Sequence, residues 1–125
     1  ERFGVIGPCG SGEEAIELVR DLRPDVVIMD IGLPGMSGIE ATQRIRGHNP
    51  EARIIGLSFH IQLNYVQQMM QHGAMGYLAK ISAPREIFEA IVEVQSGRSY
   101  ICDEVKNAVM RSLRDDDELR NLLHR

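Results

Sequence analysis

Cysteine is scarce in this chain: Cys9 and Cys102 are the only two, far apart and without a metal-ligand spacing. Two such cysteines fit free thiols in a reducing compartment. No apolar run approaches the roughly 20 residues that span a bilayer, and no signal-peptide pattern opens the chain. A cytoplasmic location with no membrane partner is therefore expected. Basic charge is not in excess either. The formal net charge is −4, which argues against a nucleic-acid surface on this stretch, because phosphate binding needs clustered Lys and Arg. His48, His60, His72 and His124 have no metal spacing and read as exposed side chains.

What is present is ordinary for a globular domain. The 125 residues leave room for one domain and an appendage, and 43% are apolar against 26% charged. Short apolar runs at Phe3–Gly7, Val26–Met29, Ile54–Leu57 and Met75–Leu78 read as strands buried on both faces. Helical periodicity fills the gaps between them. Ala15, Leu18, Val19 and Leu22 share one helical face, Leu63, Val66 and Met70 another, and Ile87, Ala90, Ile91 and Val94 a third. Ser11 or Gly12 caps the first helix, and Pro24 and Pro50 each follow a helix and stop it before a strand. Gly73 sits where a left-handed cap is wanted, and Pro84 opens the next helix. Repeated β–α units predict a parallel sheet with helices on both faces. After Gly97, Val105, Ala108, Val109 and Leu113 mark a further helix over Asp103–Leu113, read as a linker helix leaving the domain.

In an open parallel sheet the ligand crevice lies outside the carboxyl ends of the strands. Asp30 ends one strand, Ser58 ends the next, and Lys80 follows the last by one residue. A carboxylate nucleophile, a hydroxyl and an ammonium at one edge form a sensible phosphoryl-transfer site. Taken singly, each has a plain reading: a turn aspartate, a serine satisfying backbone, a solvated lysine. Spacing alone leaves both readings open.

The run Asp30-Ile31-Gly32-Leu33-Pro34-Gly35-Met36-Ser37-Gly38, preceded by Pro24-Asp25-Val26-Val27-Ile28-Met29, resembles the phosphorylation-site segment of bacterial response-regulator receiver domains. Gly73-Ala74-Met75-Gly76-Tyr77-Leu78-Ala79-Lys80 is similar to the segment carrying their lysine. With Gly56-Leu57-Ser58 these stretches cover residues 1–98, the receiver (phosphoacceptor) domain. Ser96-Gly97-Arg98-Ser99-Tyr100-Ile101 resembles the junction of LuxR-type (NarL-like) regulators, with 99–125 a linker helix toward a helix-turn-helix domain absent from this chain. The resemblance implies a CheY-like (flavodoxin-like) doubly wound α/β sheet. It implies that Asp30 accepts a phosphoryl group from a sensor histidine kinase, with Ser58 and Lys80 contacting that group and Tyr77 as an aromatic switch. It also implies Mg²⁺ held in part by Asp30 and the Gly32 carbonyl, homodimerisation, and contact with DNA only through the absent domain.

One feature departs from the family. The chain opens at what resembles the family's second strand, so its first strand and helix, with the acidic pair that supplies most Mg²⁺ ligands, are expected to be missing. The sheet must then pair its second and third strands directly, borrow a strand, or gape, and Mg²⁺ binding is expected to be weak. Arg114–Leu119 is weighed as a stand-in for the acidic pair, against a solvated acidic helix start. The glycines at 4, 7, 10 and 12 read as a turn rather than a phosphate loop, since no Lys-Ser/Thr follows. Phe59 is bulky where many relatives carry a small residue, and its size is expected to slow access to Asp30. A phosphorylation-independent docking module is the alternative function. An aspartyl-phosphate hydrolase is disfavoured, because Gly32 stands where a second carboxylate is needed.

Overall fold

The structure, a computed structural model, describes residues 4–9, 11–31, 36–59 and 61–115. Five strands and five helices alternate: β1 (Val5–Cys9), α1 (Gly12–Leu22), β2 (Val26–Asp30), α2 (Gly38–His48), β3 (Arg53–Ser58), α3 (Leu63–Gln71), β4 (Gly76–Ala79), α4 (Pro84–Gln95), β5 (Tyr100–Ile101) and α5 (Asp103–Asp115). Among the described residues every strand pairing is parallel, in the order β1-β2-β3-β4-β5. β1 therefore lies directly against β2, the first of the three arrangements that the sequence led us to expect. Its ladder is irregular between Ile6 and Cys9, where Pro8 has no N–H to give, and a proline in a strand is tolerated at such an edge position.

The expected caps form. Ser11 takes the N-cap of α1, its hydroxyl accepting from the Glu14 N–H at 3.0 Å, and Pro84 stands in the first turn of α4. Ser37 caps α2 in the same way through the Glu40 N–H at 3.1 Å. Gly73, just past α3, has a φ of +106°. Strand bounds shift by a residue or two from the expected runs, and the largest change is at β1, which runs Val5–Cys9 rather than Phe3–Gly7.

Val26, Val27, Ile28 and Met29 of β2 are all buried, so both faces of the sheet need cover. α1, α2 and α3 pack in a row on one face and α5 joins α3 there, while α4 packs against β2, β3, β4 and β5 from the other. Met29, Ile54, Ile55 and Leu78 are fully buried, each contributing about 1.5–3 kcal/mol of apolar transfer. Met69 fills the core beside Thr42, whose hydroxyl reaches its sulfur at 3.6 Å. Cys9 and Cys102 are free and buried, and burial followed by the nearby Glu14 carboxylate pushes the Cys9 thiol up. His48 and His72 are exposed, whereas His60 and His124 lie outside the described residues. No helix among the described residues is long and apolar enough to cross a membrane.

β5 had no counterpart in the sequence reading, because two residues carry no periodicity. It pairs Tyr100 with Gly76 and Ile101 with Tyr77, and it brings Cys102 and Val105 into the core. The expected helix over Asp103–Leu113 is α5, so it starts docked on the sheet while Val109 and Met110 farther along are exposed. Glu86 ties this junction. It accepts from the Asp103 N–H at 2.9 Å, capping α5, and the Tyr100 hydroxyl reaches Glu86 at 3.5 Å and Glu89 at 3.2 Å. Burial first, then the Glu86 and Glu89 carboxylates, push the Tyr100 phenol up to about 12.

A phenol raised on folding contributes stability that is fully present below its unfolded pKa of about 10 and is lost as pH rises toward 12. Alkaline unfolding followed by circular dichroism is expected to show this loss above pH ~10 in the native chain. Tyr100→Phe is expected to remove that component, and a profile unchanged by the substitution would contradict it.

Candidate functional site at the carboxyl edge of the sheet

Parallel register sets the site. Asp30 lies opposite Leu57 across the β2–β3 ladder, and Ser58 lies opposite Ala79 across β3–β4. The chain leaves each strand under backbone control: the Ile31 N–H donates to the Leu57 carbonyl at 3.0 Å, and the Lys80 N–H to the Ser58 carbonyl at 2.8 Å. Three adjacent strands therefore deliver Asp30, Ser58 and Lys80 to one edge, as the spacing predicted. The Lys80 ammonium forms an ion pair with Asp30 Oδ2, with the two side chains 20% and 10% exposed. A pair this sheltered is screened less than one at the surface, and removing either charge strands the other in partial burial.

Beside Lys80 lies a cavity of about 340 Å³, lined by Ile31, Ser58, Phe59, Gln62, Tyr65, Tyr77 and Lys80. Tyr77 is fully buried. Its hydroxyl makes no hydrogen bond of good geometry, and burial pushes its pKa up, with the nearby Ser58 hydroxyl offsetting part of the rise. The ring lies against Gly56: a Cβ there would come within 3.0 Å of Tyr77 Cδ2 and 2.9 Å of Ile31 Cδ1. Gly56 thus makes room for the inward ring, a role the sequence reading missed. The Phe59 ring stands over the Lys80 ammonium, with 4.3 Å between Nζ and the ring centroid. The sequence signalled only the bulk of Phe59, whereas its position one residue past a strand end, beside the lysine strand, foreshadows that contact. A larger cleft of about 610 Å³ lies at the opposite edge, where Asp25 and Arg53 flank the strand starts, away from Asp30.

Receiver domains generally bind Mg²⁺. Among the described residues no group of three or more His, Cys, Asp or Glu side chains is placed to hold a metal, so the acidic set that such an ion needs is not assembled there. Gly32, whose carbonyl was expected to contribute, lies outside the described residues, as do the acidic residues 116–118.

A doubly wound α/β domain with a carboxylate–lysine pair at its carboxyl edge defines the class, a CheY-like domain. The response regulator receiver domain model matches residues 1–92, and the chain belongs to that family, in its LuxR branch. It is 45% identical over 93 residues to the transcriptional activator protein ExaE of Pseudomonas putida, covering 74% of this chain and 44% of that protein. It is 40% identical over 101 residues to the response regulator UvrY of Escherichia coli K12, covering 81% of this chain and 46% of that one. The chain thus spans about half the length of the curated relatives it matches. Among solved structures, a LuxR-family two-component response regulator from Aurantimonas sp. SI85-9A1 aligns with a TM-score of 0.77 and 34% identity, covering 82% of this chain and 73% of that chain. The signal receiver domain of the putative regulator NarL from Mycobacterium tuberculosis aligns at 0.67 and 34%, covering 70% and 71%.

The Gly56 contact yields a test of the inward ring. Gly56→Ala is expected to destabilise the fold by about 1–3 kcal/mol, since the added methyl crowds both Ile31 Cδ1 and the fully buried Tyr77 ring. Denaturant midpoints check this, and a neutral substitution would mean that Tyr77 is free to leave.

Proposed function

We propose that this chain is a phosphoacceptor switch in which Asp30 takes a phosphoryl group from a sensor histidine kinase. The Asp30–Lys80 ion pair at the strand ends carries the reading. Asp30 is the nucleophile: its Oδ–P bond forms as the donor's bond to phosphorus breaks. Lys80 then balances the charge of the phosphoryl oxygens, and the Ser58 hydroxyl donates to one of them. Phosphorylation adds negative charge beside a buried tyrosine, so movement of Ser58 and the rotamer of Tyr77 form the two-state element that carries the signal toward β5 and α5. On this reading Asp30 and the Gly32 carbonyl would hold Mg²⁺, and only weakly.

The domain comprises residues 1–98, and 99–125 serve as linker toward a DNA-binding helix-turn-helix domain, so that phosphorylation controls transcription. ExaE, named a transcriptional activator, supports that direction. The switch acts in the cytoplasm as a homodimer. It is a signalling domain rather than an enzyme, with slow self-dephosphorylation at most.

Titration with beryllofluoride and Mg²⁺, followed by NMR at the backbone amides of Ser58, Tyr77 and Lys80, tests the reading. A saturable shift at all three amides is expected, and Asp30→Asn is expected to reduce it to background. No response from the folded chain would overturn phosphate acceptance and leave a docking module that works without it.

A further inference from the structure

The cleft at the starts of the strands lies at the edge opposite Asp30 and plays no part in the phosphoacceptor reading. Its volume, about 610 Å³, falls in the range of small-molecule sites. Three arginines line it from three separate elements: Arg23 at the C-cap of α1, Arg46 in the last turn of α2 and Arg53 at the start of β3. Arg46 is anchored. Its Nη1 donates to the Pro50 carbonyl and, at 2.9 Å, to the Ala52 carbonyl. Gly73 leaves room for it, since a Cβ there would come within 2.8 Å of Arg46 Nε. The side chains of Arg23 and Arg53 form no ion pair or hydrogen bond among the described residues. Cations at helix ends offset the partial negative charge of the last carbonyls, which accounts for Arg23 and Arg46. It does not account for Arg53, which opens a strand opposite Val26. Arg53 is half-buried, and a guanidinium that sheds water without gaining a partner is costly. Two carboxylates share the cleft, yet neither pairs with an arginine: Asp25 Oδ2 accepts from the Gly4 N–H at 2.8 Å, and Glu51 is exposed.

We propose that this cleft is a binding site for a small oligophosphate, with Arg46 as the anchored donor and Arg23 and Arg53 as the donors that gain a partner. A guanidinium is a planar fork that meets two phosphate oxygens at once, and it keeps its charge at any physiological pH. Forks from three elements suit linked phosphates better than a single one. Three cations against two carboxylates leave the cleft positive, in a chain whose net charge is −4. The carboxylates also set a threshold. A singly charged anion gains little beside them, whereas an oligophosphate carries enough charge to engage all three arginines. Binding is reversible and makes no covalent bond. A bound oligophosphate bridges the ends of α1 and α2 and the start of β3, so it stabilises the folded chain in proportion to occupancy. None of this depends on Asp30 being the acceptor.

Inorganic tripolyphosphate is titrated into the full chain without Mg²⁺ and at constant ionic strength, with orthophosphate in parallel. Calorimetry gives the affinity, and NMR follows the arginine Nε–Hε signals and the Ser58 and Lys80 amides. Saturable binding is expected, about tenfold or more tighter for tripolyphosphate than for orthophosphate. The signals of Arg23, Arg46 and Arg53 are expected to shift while the Ser58 and Lys80 amides stay in place. Arg53→Gln and Arg23→Gln are each expected to weaken binding by about tenfold or more without lowering the melting temperature of the free chain. Arg53→Lys keeps the charge but loses the fork, and an intermediate affinity is expected. Arg85→Gln, on the exposed side of α4, is expected to leave the affinity unchanged. Equal, weak affinity for both anions would reduce the cleft to general surface charge and overturn the proposal. So would an affinity that neither Arg53→Gln nor Arg23→Gln alters, or shifts at Ser58 and Lys80 with none at the three arginines.

Discussion

The ion pair between Lys80 and Asp30 depends on parallel register before it depends on either side chain. A one-residue slip in the β2–β3 ladder would turn Asp30 to the opposite face of the sheet, and a slip between β3 and β4 would do the same to Lys80 relative to Ser58. The register is held by strands buried on both faces, where Val26–Met29, Ile54–Leu57 and Gly76–Ala79 have no solvent side to turn toward. The charged edge is therefore fixed by the apolar middle. Breaking the pair by removing one charge is costly because the other has little water around it, and on the proposed reading phosphorylation would rearrange the pair instead of removing it.

The fold was largely legible in the sequence because burial on both faces leaves a clear mark. Three of the short aliphatic runs give β2, β3 and β4 to within a residue or two, and the amphipathic faces read between the runs fall inside α1, α3 and α4. β1 was less clear, since Gly7 and Pro8 interrupt the pattern and its side chains are mostly exposed. β5 was invisible as a strand: its two residues owe their conformation to the edge of β4 and to the carboxylates of α4, which are contacts at a distance in sequence. The same limit applies to the site. Asp30, Ser58 and Lys80 could be placed on one edge by strand-end logic, but Gly56 beneath Tyr77 and Phe59 over Lys80 are relations between side chains of different strands, and no local pattern encodes them.

Tyr77 and Tyr100 connect the two ends of this arrangement. Tyr77 is buried next to the Ser58 side of the site, and Ile101 pairs with it across the β4–β5 ladder. One residue before Ile101, Tyr100 is anchored by Glu86 and Glu89, and Glu86 also caps α5. A change at the carboxyl edge thus has a short packed route to the start of α5. On the proposed reading this is the direction in which the signal leaves the domain, and the exposed apolar residues Val109 and Met110 lie along that helix.

Chemical mapping of the acceptor tests the central claim most directly. The chain is incubated with acetyl phosphate and Mg²⁺, the acyl phosphate is reduced with borohydride, and the modified position is located by peptide mass spectrometry. The account predicts reduction at position 30, where the aspartyl phosphate becomes homoserine, and at no other carboxylate. Modification at a different acidic residue, or none in the folded chain, would contradict it.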